Sequence, residues 1–383
     1  MLWLENNRRL FMNWGNNAQK EMKLKFLFEQ YIFFKQDQIP TIVPYFPDQV
    51  DLDISNRCNL SCITCFHSLE RFSPFPDMTM ETFRTILDQA EGKSSTITFG
   101  NHGEPFIHKH ILAMIREVKE RGFFLNIINN GTLLTAEKAQ AVIDAQVDRV
   151  SFSIDSVDPE IYPQVRRGGN LKKTLLNILT FLKMNHEQGM KVYVNISTVN
   201  SRLALSSKID IREFFSKLPV HVIYTSDILN FHDMLAIRDE TKFVQRGYEK
   251  ITDPKKFPVC LNAFDRIIIR PTGDVSLCPI DWDSVHILGN VNDAPYTELW
   301  NNEKAQQFRQ AHIDRDYSSF EGEKAMCSRC DGKWVQDTTL RPDAILHMIK
   351  DDLRDTKSEL DFKLSDPHYG NTVKDALQWA SSL

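Results

Sequence analysis

The chain of 383 residues contains no run approaching the roughly 18 consecutive apolar residues that a membrane-spanning helix needs, so no span is read from it. It also lacks a basic excess, with 46 Lys and Arg against 51 Asp and Glu and a formal net charge of -5. Without surplus cations to neutralise phosphates, general nucleic-acid binding is excluded. Met1-Leu2-Trp3-Leu4-Glu5-Asn6 offers no cationic segment ahead of an apolar one, so no secretory signal is read and the expected location is cytoplasmic. Cysteine is scarce: the seven residues, an odd number, argue against a disulfide framework and suit a reducing compartment. What is present is a globular composition, 42% hydrophobic and 25% charged, in a chain too long for one ordinary core.

The cysteines divide into three and four. Cys58, Cys62 and Cys65 stand at C-x3-C-x2-C spacing, just after an alternating run, Val50-Asp51-Leu52-Asp53-Ile54, that reads as a strand. Three thiols on one loop can hold one inorganic cluster, and a cubane of four irons would keep one iron without a protein ligand. Such an open position can take a substrate or cofactor. Zinc is the alternative, although structural zinc sites usually draw their ligands from two separated pairs.

Residues 1–47 form an N-terminal extension in which Leu24, Leu27, Phe28, Tyr31 and Ile32 recur at helical spacing. Its polar face is not strongly basic, which favours a helix docked on the body over a membrane-surface helix. Across 48–235 strand and helix alternate, with strands expected over 50–54, 96–99, 124–128, 149–154, 191–197 and 220–224. Repeated βα units predict an α/β fold with a parallel sheet, and six of them a partial (β/α)6 barrel.

Fully buried parallel strands normally read as continuous apolar runs, yet several here alternate. Val50, Leu52, Ile97, Phe99, Val150, Phe152, Val194 and Ile196 are assigned to the helix-facing side. Asp51, Asp53, Thr98, Ser151, Ser153, Asp155 and Asn195 are then left on the inner side. Unpaired buried polar groups are costly, so the lumen is expected to hold a large polar ligand and water. Residues 236–342 read as a small β-rich module, with a hairpin turning at Thr272-Gly273-Asp274, a helix over 297–311 and the pair Cys327-x2-Cys330. Residues 343–383 form a charged helical tail with no functional reading.

The cysteine triple resembles the signature of the radical S-adenosylmethionine (radical SAM) enzymes. Where that family often carries an aromatic residue before the third cysteine, this chain has Thr64, with Phe66 just after. The resemblance implies a 4Fe–4S cluster on Cys58, Cys62 and Cys65 whose open iron chelates SAM. It also implies one-electron cleavage of SAM to a 5′-deoxyadenosyl radical that takes a hydrogen atom from the substrate. Gly100-Asn101-His102-Gly103-Glu104-Pro105 is similar to the family's Gly-Gly-Glu-Pro segment, with His102 in place of the first glycine. Gly103 and Glu104 would then receive the SAM amino group. By the same resemblance Ser153 and Arg167, in preference to Arg166, would contact the SAM carboxylate and ribose. Asn129-Asn130-Gly131-Thr132 is similar to a Thr-Asn-Gly of many relatives and is given no role.

Cys260, Cys278, Cys327 and Cys330, with Gly273, Leu288-Gly289-Asn290-Val291 and Leu299-Trp300, resemble the SPASM/twitch auxiliary-cluster domains. Their layout is similar to the twitch domain of 2-deoxy-scyllo-inosamine dehydrogenases. On their own the four thiols suit a zinc ribbon equally well. Beside the first triple they imply one auxiliary cluster, giving two 4Fe–4S clusters and SAM as cofactors.

The expected function is a radical SAM oxidoreductase of dehydrogenase type that oxidises a small polar substrate, a sugar or aminocyclitol, with the auxiliary cluster as electron acceptor. A flavodoxin- or ferredoxin-type donor is implied. The alternatives are a peptide maturase or epimerase, for which Phe66 to Phe75 would line a groove, and, more remotely, a zinc-stabilised scaffold. Asp227, His232 and Asp281 are polar residues near strand ends or the second cysteine set and receive no role.

Overall fold

The computed structural model describes residues 40–69, 72–227, 259–260, 262–318, 327–328, 330, 364 and 366–383. The helix expected around residues 24–32 and His232 lie outside them. Six parallel strands, β1 (Gln49–Leu52), β2 (Thr96–Phe99), β3 (Phe124–Asn129), β4 (Arg149–Ser153), β5 (Tyr193–Asn200) and β6 (Val222–Asp227), pair in sequence order. Helices α1 (Met80–Ala90), α2 (Ile111–Glu120), α3 (Ala136–Asp144), α4 (Leu171–Glu187) and α5 (Ile211–Ser216) connect them. Side-chain caps fix where several begin: Thr79 accepts from the Thr82 amide, Thr135 from Lys138 and Asn170 from Lys173.

The expected strand faces are present. Val50, Leu52, Ile97, Phe99, Val150, Phe152, Val194 and Ile196 are fully buried against the helical layer, each such side chain contributing about 1.5–3 kcal/mol. Register places Asp51, Thr98 and Asn126 side by side on the other face, and Ser151 beside Asn195. Asn126 Oδ1 and Asn195 Oδ1 are shielded there without a hydrogen-bond partner. Strand ends differ from expectation by up to three residues: β5 and β6 start two residues later and run three further, where the inter-strand ladder continues past the apolar pattern.

Three more strands extend the same sheet. β7 (Arg266–Ile269) pairs in parallel with β1, and β8 (Asp274–Ser276) and β9 (Gly289–Asn290) follow antiparallel, giving the order β6-β5-β4-β3-β2-β1-β7-β8-β9. The hairpin read from the sequence therefore grows out of the barrel sheet. Helix α6 (Glu303–Asp314) packs on the helical turn Asn262–Asp265 that leads into β7, and the segment before β1 is held there too. Trp300 Nε1 donates to the Tyr45 carbonyl (2.7 Å), and the Tyr45 hydroxyl donates to the Phe264 carbonyl (2.7 Å). The final helix α7 (Pro367–Ser382) buries Val373, Ala376 and Ala380 and packs on α4.

Candidate active site

The three-cysteine loop leaves β1 and lies at the C-terminal end of the strands, where such folds place their chemistry. Backbone bonds tie it to the segment after β4: the Ser61 amide donates to the Arg167 carbonyl (2.9 Å) and the Ile63 amide to Val165 (3.1 Å). Cys62 is buried, Cys58 and Cys65 are half-buried, and all seven cysteines are free thiols. Burial pushes Cys58 up to about 11, Cys65 to about 12, and Cys62 upward. Two donors face the sulfurs. Asn130 Nδ2 lies 3.7 Å from Cys58 Sγ, and Arg166 Nη1 lies 3.8 Å from Cys62 Sγ.

Glu104 is buried beside this loop. Its backbone amide donates to Arg57 O (2.9 Å), and its carboxylate accepts from the amides of Phe106 (3.0 Å) and Asn130 (2.8 Å). Burial, opposed by those two amides and by Lys138, pushes its pKa up to about 7. Gly103 admits no side chain, because a Cβ there would sit 2.3 Å from the Ser55 carbonyl oxygen. Gly100 has φ +98°, a left-handed conformation suited to glycine, and its Cβ would lie 2.1 Å from Ile128 O. Asn130 thus joins Glu104 to Cys58. The sequence resemblance gave it no role, although the Asn-Asn-Gly that carries it was visible.

Ser153 ends β4. Arg167 is exposed, whereas Arg166 is buried and its Nε lies 2.7 Å from Asp155 Oδ2. Both of those atoms lack a hydrogen bond of good angle, so the contact is better described as an ion pair. The Asp155 carboxylate also accepts the Val199 amide (2.9 Å), fixing the pair to β5. The arginine nearest the thiols is therefore Arg166. Asp155, which holds it, was read from the sequence only as a lumen residue.

In the second set, Cys260 and Cys330 both push the buried Cys278 thiol further up, beyond the effect of burial. The Cys330 amide donates to the Cys327 carbonyl (3.3 Å). Asp281 is fully buried and accepts from the amides of Val285 (2.7 Å) and His286 (2.9 Å), so it acts as a loop anchor. Asp227 ends β6 opposite Asn200. Phe66, expected in a peptide groove, is buried against Trp282 and His102.

Both thiol sets fit iron–sulfur chemistry. They consist of free thiols, with Cys62, Cys260, Cys278 and Cys327 buried and Cys58, Cys65 and Cys330 half-buried, and the first set has amide and guanidinium donors turned toward the sulfurs, as thiolates require. Fold and site together define a partial (β/α) barrel with a cysteine loop at its mouth and a second thiol site on the sheet's extension. Residues 52–200 match the radical SAM superfamily and residues 260–331 the SPASM iron–sulfur cluster-binding domain, so the chain carries a radical SAM domain followed by a SPASM domain. A radical SAM domain holds a 4Fe–4S cluster and SAM, and the SPASM domain adds iron–sulfur.

The chain is 44% identical over 106 residues to the tungsten-containing aldehyde ferredoxin oxidoreductase cofactor-modifying protein of Pyrococcus furiosus, covering 27% of this chain and 30% of that one. It is 21% identical over 324 residues to the AdoMet-dependent heme synthase of Methanosarcina barkeri, covering 73% and 88%. The structure of Streptococcus suis SuiB bound to precursor peptide SuiA overlays with a TM-score of 0.56 at 14% identity, covering 85% and 74%. For five curated relatives the match spans only 30% to 57% of their length. Among the described residues, no helix is long and apolar enough to cross a membrane.

Proposed function

We propose that the chain is a radical SAM oxidoreductase of dehydrogenase type acting on a small polar substrate, a sugar or aminocyclitol. In this reading Cys58, Cys62 and Cys65 ligate the SAM-binding 4Fe–4S cluster, and Cys260, Cys278, Cys327 and Cys330 ligate one auxiliary 4Fe–4S cluster. Bound there, the first cluster and SAM supply one-electron cleavage of the S–C5′ bond and hydrogen abstraction, and the auxiliary cluster supplies an electron acceptor. A flavodoxin- or ferredoxin-type protein would deliver the first electron.

The observation that carries the reading is Asn130, which links the Glu104 carboxylate to Cys58 through its own amide and side chain. Glu104, with the Gly103 backbone, would receive the SAM ammonium. Arg166, held by Asp155 beside Cys62, is preferred here to Arg167 for the SAM carboxylate, with Ser153 at the end of β4. A small polar substrate is favoured by the lumen, where Asn126 Oδ1 and Asn195 Oδ1 await donors that hydroxyl or ammonium groups would provide. A peptide substrate gains less support, since Phe66 is committed to internal packing. The likeness to SuiB is one of fold and assigns no substrate.

The test is anaerobic reconstitution followed by reduction with dithionite in the presence of SAM. About eight irons per chain are expected from two four-iron clusters, with release of 5′-deoxyadenosine and methionine. Replacing Cys58, Cys62 and Cys65 by alanine should leave about half the iron and abolish SAM cleavage. One zinc and four irons per chain would remove the auxiliary-cluster assignment alone.

A further inference from the structure

A buried seam joins the barrel's Glu104 loop to the loop that follows Cys278. At its centre Asp53, just beyond β1, accepts from the His102 amide through Oδ1 (2.9 Å) and lies 2.6 Å from His102 Nδ1 through Oδ2. Arg270, just beyond β7, donates from Nη1 to the same Asp53 Oδ2 (2.9 Å) and contacts the His102 ring. Its Nη2 donates to the carbonyl of Asp281, three residues after Cys278. Asp53, His102 and Arg270 are each at most 3% exposed, so solvent screens none of these contacts.

An aromatic layer runs alongside. Phe66, adjoining Cys65, stacks on Trp282 with centroids 5.2 Å apart and planes 6° apart, and meets the His102 ring edge-on at 5.5 Å. His67 Nε2 lies 3.0 Å from the His102 carbonyl oxygen, and Asn101 Nδ2 donates to Pro279 O (3.4 Å).

We propose that this seam sets the position of Gly103 and Glu104 from the auxiliary module, making Arg270 and Trp282 positioning residues for SAM. The inference rests on the reading of Glu104 as the SAM ammonium site. Its physical basis is that residues 102–104 have no slack. Gly103 is pressed against Ser55 and Asn56, the Glu104 amide is bonded to Arg57, and His102 is clamped by Asp53 and Arg270. Moving the Asp281 carbonyl or the Trp282 ring therefore moves the clamp, and the Glu104 carboxylate lies two residues from it. His102 gains a purpose by the same argument, because a glycine there would offer no side chain to the Asp53–Arg270 pair.

The experiment measures SAM affinity by calorimetry on the full-length, anaerobically reconstituted protein, with iron content and circular dichroism recorded for each variant. Arg270→Met and Trp282→Ala should each weaken SAM binding about tenfold, a usual size for coupling between distinct sites, while iron per chain stays at the parental value. Trp282→Phe, which retains a stacking ring, should restore parental affinity, as a loss of general stability would not. Variants that load parental iron and bind SAM as the parent does would overturn the proposal. If Arg270→Met fails to load iron, Trp282→Ala decides alone. If neither loads iron, the seam is a folding element and the positioning role is wrong. A parent protein with both clusters that binds no SAM would instead overturn the reading of Glu104.

Discussion

Glu104 combines a carboxyl pushed up to about 7 with complete burial and two backbone amides that favour its ionised form. A group whose folded pKa lies above its ordinary 4.5 makes folding less favourable as pH rises from about 4.5 to about 7, because the unfolded chain releases the proton first. A bound ammonium reverses the preference by favouring the carboxylate. SAM affinity should therefore fall by about tenfold per pH unit as pH drops below about 7, and Glu104→Gln should be weaker and flat across that range. Calorimetry from pH 5.5 to 7.5, read as the ratio of parent to variant, checks this. Equal pH profiles would remove Glu104 from the ammonium site. The sequence pointed to Glu104 because Gly-Glu-Pro is a short contiguous pattern. It favours Arg167 over Arg166, and the exposures of the two depend on how the segment after β4 packs on the thiol loop. Asn130, Asp155 and Arg270 likewise acquire their partners only when separate strands converge.

At the scale of elements, the barrel strands were legible because alternation over four or five residues distinguishes a helix-facing side from a polar lumen. The strap before β1 was not. Its few residues have no period, and it was grouped with the N-terminal extension although Val43 and Tyr45 are buried in the core. Arg309 on α6 explains its placement. The fully buried guanidinium donates to the carbonyls of Ala263 (2.9 Å), Thr41 (2.8 Å) and Trp300 (2.8 Å), and lies 4.4 Å above the Trp300 ring. One side chain thus joins the strap, α6 and the chain entering β7. Arg309→Met should cost roughly 3 kcal/mol in chemical denaturation, since it strips several buried carbonyls of a charged donor at once. A loss below about 1 kcal/mol would mean that water or a shifted side chain satisfies those carbonyls. The sequence reading has this helix as one element over 297–311. The structure instead has a short helix at Tyr296–Leu299, then Asn302 capping a new helix through its bond from the Ala305 amide.

For the whole molecule, the feature least visible in the sequence is the parallel pairing of β7 with β1, a contact between segments more than 200 positions apart. It joins the hairpin that Cys260 and Cys278 flank to β1, the strand that leads into the first cysteine loop. If the auxiliary cluster accepts the second electron of an oxidation, removing two of its ligands should separate hydrogen abstraction from product release. A Cys327→Ala, Cys330→Ala protein should still transfer deuterium from the labelled substrate carbon into 5′-deoxyadenosine, because the first cysteine loop and the lumen keep their residues. It should not release oxidised product, and the label should be lost from recovered substrate as excess dithionite supplies the electron and solvent the proton that refill the abstracted position. Ligation contributes to folding, so the comparison holds only for a variant with parental circular dichroism and SAM affinity. Oxidised product formed at the parental rate would assign the auxiliary site a structural task. The polar lumen would then have to be read for a redox-neutral reaction, with a tyrosine such as Tyr193 or Tyr224 as the hydrogen donor. Tyr193 is buried at the start of β5 and Tyr224 is exposed on β6, so only a substrate reaching one of those two strands would fit that outcome.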